Sequence, residues 1–109
     1  MDGKLVRTYR EQDDNTIALL ATGDVFQIRL TGNPTTGYRW HLINWDHSIL
    51  QRMRDEFQTP GTLSPGTGGE HVWEFVVRAP GQCLLQLAYR RRWGATIPTK
   101  SFSLHISAT

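Results

Sequence analysis

Four stretches of this chain alternate apolar and polar residues with a period of two. Phe26, Ile28 and Leu30 alternate with Gln27 and Arg29, and His71, Trp73, Phe75 and Val77 with Val72, Glu74 and Val76. Cys83, Leu85, Leu87 and Tyr89 alternate with Leu84, Gln86 and Ala88, and Phe102, Leu104 and Ile106 with Ser101, Ser103, His105 and Ser107. Period two sends successive side chains to opposite faces, so these segments read as strands with one face buried. Lys4 to Arg10, Thr16 to Leu20 and Tyr38 to Ile43 add weaker strands of the same kind. Asp46 to Phe57 is ambiguous, because Ile49, Leu50 and Met53 also fit a helical turn; a strand is the default there.

Seven or eight short strands joined by Gly- and Pro-bearing connections predict an all-β fold, an immunoglobulin-like antiparallel β-sandwich. A chain of 109 residues suits one such domain, with no repeat, charged tail or linker to divide it. The lone Cys83 excludes an intrachain disulfide and any multi-cysteine metal site. Trp40, Trp73, Phe26, Phe75 and Phe102, with the Leu/Ile/Val set, must therefore hold the core by packing alone. Twelve basic and ten acidic residues leave a formal charge of +2, far from the field of a dedicated nucleic-acid binder. No apolar run has the length of a membrane span. Met1-Asp2-Gly3-Lys4 lacks the apolar stretch of a signal peptide, which gives a cytoplasmic expectation for the chain as given, a trimmed leader aside.

Catalytic signals are poor. His41 and His47 are spaced for no helical metal pair, and His71 and His105 sit within alternating strands. Glu70 and His71 are neighbours on opposite faces of a strand, so they make no acid–base pair. No zinc-peptidase, redox-dithiol or nucleophile-elbow string is present, and Gly66, Gly68 and Gly69 lack the Lys-Ser/Thr of a phosphate loop. Cys83 is in phase with Leu85 and Leu87, which reads as a small core residue rather than a nucleophile. An enzyme is not expected, and no metal or cofactor is called for.

Three connections are unusual. Between two strands lies Asn33-Pro34-Thr35-Thr36-Gly37-Tyr38, where Pro34 fixes its own φ, pushes Asn33 toward extended backbone, and Gly37 supplies a positive φ on demand. The result is a stiff, uncharged tip with two threonine hydroxyls, or in the plainer reading a structural turn. Gln58 to Gly69 holds four Gly, two Pro, three Thr and one Ser, and ends in Gly66-Thr67-Gly68-Gly69. Its missing side chains allow close backbone approach to another surface, although a slack connection has the same composition. Tyr89-Arg90-Arg91-Arg92-Trp93-Gly94 closes a strand with the composition of a binding hot spot, or with a solvated corner capped by a tryptophan. With strands at 4–10, 23–31, 38–43, about 49–57, 70–78, 82–90 and 99–107, sandwich topology sends all three connections to one end.

Asn33-Pro34-Thr35-Thr36-Gly37-Tyr38, Gly66-Thr67-Gly68-Gly69 and Arg91-Arg92-Trp93 together resemble the three motifs of the chagasin family, inhibitors of papain-like cysteine peptidases. Their order, spacing and strand context agree from about Thr16 to Ile106. Arg92 stands where the family has proline, which leaves the third loop less stiff. The resemblance implies an immunoglobulin-like sandwich, monomeric when free, that occludes a papain-like peptidase reversibly at one to one. Thr35 and Thr36 would lie against the catalytic Cys–His pair, Gly66 to Gly69 along the non-primed side, and Arg91 and Trp93 on the primed side. The rival reading from another class is a small adhesive or nucleic-acid-binding domain using Arg90, Arg91, Arg92 and Trp93.

Overall fold

The computed structural model describes residues 5–33, 36–59, 68–91 and 100–109. Its strands are β1 (Leu5–Tyr9), β2 (Thr16–Leu20), β3 (Val25–Gly32), β4 (Tyr38–Asn44), β5 (Leu50–Gln58), β6 (Gly69–Val77), β7 (Gly81–Arg91) and β8 (Lys100–Ala108), with a 3-10 turn at Glu11–Asp13. They form two four-stranded sheets, ordered β1-β3-β6-β5 and β2-β8-β7-β4. This is the all-β sandwich that the alternation requires.

The predicted core is the observed one. Trp40, Trp73, Phe26, Phe75 and Phe102 are all buried, together with Ile28, Leu30, Leu85, Leu87, Leu104 and Ile106. Phe26 stacks on Phe75 at 5.4 Å between ring centres, and the Tyr9 ring meets Phe26 edge-on at 5.9 Å. Such aromatic pairs add to the area-proportional gain of burial.

Three details sharpen the sequence expectation, and for the segment after Asp46 the default strand holds. Cys83 keeps phase with Leu85 and Leu87 but is only half-buried. The pairing of β4 with β7 stops at Gln86, beyond which Asn44 Nδ2 donates to Leu84 O at 2.9 Å. The segment after Asp46 resolves to strand β5: Ile49 and Leu50 are buried, but Met53 is 57% exposed at an irregularity between Arg52 and Arg54. Its helical spacing is incidental. Arg52, Arg54, Asp55 and Glu56 instead charge this edge strand, which discourages pairing with another chain.

The third is direction. β1 joins β3 in parallel and β2 joins β8 in parallel, while the remaining pairs are antiparallel. β1, β3, β5 and β7 therefore all run the same way. The connections that follow them leave from one end of the sandwich. Leu5 and Thr109 lie at the other, where Thr109 N donates to Leu20 O and Thr22 N donates to Thr109 O, each at 2.9 Å.

Candidate functional site

Strand register brings the bases of the three unusual connections together. Gly32 pairs with Gly69, which joins the β3–β4 and β5–β6 connections. Tyr38 pairs with Arg91, and Tyr89 with Lys100, which adds the β7–β8 connection. Among the residues singled out in the sequence, Asn33, Thr36, Gly37, Tyr38, Gly68, Gly69 and Arg91 are found at this end. Pro34, Thr35, Gly66, Thr67, Arg92 and Trp93 lie outside the described residues.

The β3–β4 turn folds back on itself. Thr36 donates to Asn33 O twice, from its amide at 3.1 Å and from its hydroxyl at 2.7 Å. Tyr38 N in turn donates to Thr36 Oγ1 at 3.3 Å, and Gly37 takes φ +85°. The Thr36 hydroxyl is thus engaged inside the turn rather than presented as a spare group. Below it, Asn33 N donates to the Tyr89 hydroxyl at 3.1 Å, and Trp40 Nε1 donates to Thr31 O at 2.9 Å. Tyr89 lies 5.6 Å from the Tyr38 ring and 5.2 Å from the Trp40 ring. Arg91 and Lys100 close this aromatic floor, with the Arg91 guanidinium 5.1 Å from the Tyr38 ring and the Lys100 ammonium 5.3 Å from the Tyr89 ring.

Gly68 and Gly69 have an internal reason to be glycine that composition does not reveal. A Cβ on Gly69 would stand 2.2 Å from Gln58 O and 2.9 Å from the Phe57 ring. One on Gly68 would stand 2.7 Å from Gly32 O. The close approach is between strands of the domain itself.

Sequence reasoning overlooked a fourth element at this end, the turn between β1 and β2. Glu11 Oε2 accepts both the amide and the hydroxyl of Thr31, each at 2.6 Å, just before the β3–β4 turn begins. Burial pushes the Glu11 carboxyl up, but the two Thr31 bonds and the Lys100 charge outweigh it and hold the group below its ordinary range. The acidic run at Glu11, Asp13 and Asp14 marks a turn in the sequence; its long-range partners are not legible there. Arg29 Nη1 donates to Gln58 Oε1 at 3.1 Å and to Glu70 Oε1 at 3.4 Å, and Arg10 pairs with Glu70. Both stems of the Gly/Pro-rich connection are therefore tied to β3.

The titratable groups nearby are engaged in structure. Glu70 is held by arginines on the outer face, whereas His71 stacks flat on Trp73 at 4.0 Å and meets Asp55 Oδ1 at 2.5 Å. The described residues hold no group of three His, Cys, Asp or Glu side chains placed to bind a metal ion. What this end offers is a turn braced at Asn33 and Thr36, a backbone-lined strip and a cationic, aromatic margin.

Known proteins share both the sequence pattern and the fold. The family model of the chagasin family peptidase inhibitors, I42, matches residues 20–106. Amoebiasin-1 of Entamoeba histolytica is 29% identical over 99 residues, which cover 89% of this chain and 94% of that protein. Chagasin of Trypanosoma cruzi is 26% identical over 94 residues, 82% of this chain and 86% of that one. The crystal structure of the cysteine protease inhibitor EhICP2 from Entamoeba histolytica has the same fold, with a TM-score of 0.82 over 94% of each chain at 19% identity.

Proposed function

The chain belongs to the chagasin family of peptidase inhibitors, and from that premise we propose that it blocks papain-like cysteine peptidases reversibly, one to one, by filling the active-site cleft from one end of the sandwich. The observation that carries the reading is the convergence of three motif-bearing connections, through the pairs Gly32 with Gly69 and Tyr38 with Arg91.

The β3–β4 turn, with Pro34, Thr35 and Thr36 at its tip, is the wedge that lies against the catalytic cysteine and histidine. Its flanking residues Thr31, Asn33 and Thr36 are held before binding by the Glu11, Tyr89 and Thr36 bonds, which lowers the ordering entropy of docking. The wedge blocks the catalytic pair without becoming an acyl donor, and occlusion needs no cofactor. Gly66, Thr67, Gly68 and Gly69 run along the non-primed side. Arg91, Arg92 and Trp93 grip the primed side. An interface of about 800 Å² per partner supports nanomolar binding when the surface is preorganised.

Titrating active-site-counted papain and a cathepsin L-like peptidase with the purified protein tests this directly. Competitive, reversible inhibition that saturates at one equivalent is expected. No inhibition of either enzyme at micromolar concentration would overturn the reading.

A further inference from the structure

The two sheets differ sharply in charge. β2, β4, β7 and β8 contain no Asp or Glu at all, whereas β5 and β6 carry Asp55, Glu56, Glu70 and Glu74. Within the acid-free sheet, Arg39 and Arg90 stand directly opposite each other in the β4–β7 register. Their neighbours Trp40 and Tyr89 fill the core, so both arginines project from the outer face. Like charges placed directly opposite on one face of a sheet destabilise the pair.

Four arginines elsewhere are neutralised. Arg10, Arg29, Arg52 and Arg54 each have a carboxylate within ion-pair distance. Among the described residues Arg7, Arg39, Arg78, Arg90 and Arg91 have none; Arg7 lies over the Tyr9 ring and Arg78 donates to Gln51, whereas Arg39 and Arg90 face each other. His41, one step further along the same face as Arg39, has a buried Nε2 without a hydrogen-bond partner among the described residues. Burial first, and then the Arg90 charge, keep its imidazole below the ordinary value and hence neutral. The domain thus maintains a repulsive cationic face that its own folding does not use.

We propose that the Arg39–Arg90 face is a second contact surface with the inhibited peptidase, meeting a carboxylate-bearing wall beside the cleft. The inference rests on the cleft-filling reading above. Arg39 adjoins Tyr38 and Arg90 adjoins Arg91, so the face is continuous with the inserted end. Charges at an interface margin act chiefly on the encounter, raising the association rate at low salt and favouring partners of opposite charge.

The test compares the full chain with Arg39→Gln, Arg90→Gln, the double variant, and Arg54→Gln as a control on the other sheet. Association and dissociation rates are measured against two papain-family peptidases, one of net negative and one of net positive charge, from low to high salt. A single-stranded DNA oligonucleotide serves as a third probe. For the negative peptidase at low salt, the double variant should lose about three- to tenfold in kon, with koff unchanged and the difference gone in high salt. Its Tm should hold or rise by about 1–3 °C, which a merely structural role would not produce. An unchanged kon, or equal losses with both peptidases, overturns the proposal. So does a salt-sensitive affinity for the oligonucleotide that the double variant abolishes while peptidase rates stay fixed. Failure of the unaltered chain to inhibit either enzyme would instead remove the cleft-filling reading, and this proposal with it.

Discussion

The Tyr89 hydroxyl accepts the backbone N–H of Asn33 at 3.1 Å, so a side chain of the buried layer fixes the residue at which the β3–β4 turn begins. Tyr89→Phe keeps the ring between Tyr38 and Trp40 and removes the acceptor. A stability loss of about 1 kcal/mol is expected, together with inhibition weakened about three- to tenfold. Urea unfolding and progress-curve kinetics measure the two. An intact inhibition constant would limit the bond to a folding role.

The glycines separate by cause. Gly69→Ala drives a methyl into Gln58 O and the Phe57 ring, and about 2–4 kcal/mol of stability should be lost. Gly37→Ala meets nothing within 4 Å and is penalised only through its positive φ, by about 1 kcal/mol. Thermal unfolding of both variants checks the order; a mild Gly69→Ala would mean that the two stems separate easily.

Glu11 links the turn to acid stability. Its folded-state pKa lies below the ordinary 4.5, so its stabilisation is present above that value and is lost as pH falls through the lower, folded-state one. Glu11→Gln should cost about 1 kcal/mol near neutral pH, and the gap to the parent should close in acid. Denaturant midpoints across pH 3–7 read this out. A pH-independent gap would show that Glu11 acts by packing, not charge.

His41 titrates with the same sign for a different reason. Burial depresses its pKa below 6.5, so the unfolded chain takes up protons before the folded one does, and stability falls as pH drops below that value. Replacing His41 with Gln should flatten the stability curve between pH 7 and 5. An unchanged slope would assign the acid loss to other groups.

Cys83 lies near the start of β7, far from the braced end, and burial raises its thiol pKa. Native-state labelling should be slower than for a free thiol but measurable, and labelled protein should inhibit unchanged. Cys83→Ala should cost about 1 kcal/mol. Loss of inhibition on labelling would place this thiol in communication with the working end.

Trp93→Ala tests the proposed grip on the primed side. Truncating such an anchor costs about 2–4 kcal/mol, or roughly 30- to 1,000-fold in affinity, mainly through dissociation. Arg92→Pro, which restores the family residue, should tighten binding by about 0.4–1 kcal/mol if the backbone accepts proline. Unfolding of Trp93→Ala would put that ring in the core.

Local constraints made much of this molecule legible. Period-two alternation located the strands and the faces of Phe26, Trp73 and Phe102, because each side chain's face follows from its own position. Pro34 and Gly37 marked the β3–β4 turn for the same reason. Strand direction escaped, since alternation specifies a face but not a partner, and nothing in Thr16–Leu20 says that it runs parallel to β8. The bonds of Glu11 to Thr31, and the contacts that force Gly69, depend on residues distant in sequence and appear only when the sheets assemble. Half-burial of Cys83 escaped likewise, because alternation gives a face but not how completely that face is covered.

Leu5 and Thr109 both sit at the pole opposite the four connections, with a strand's length of about 30 Å between. A fusion partner, affinity tag or surface linker joined at Thr109 would start at the pole opposite the motif-bearing connections. The sandwich then serves as its own spacer. An immobilised or grafted copy should capture its target as well as the free domain does, whatever the bulk of its attachment.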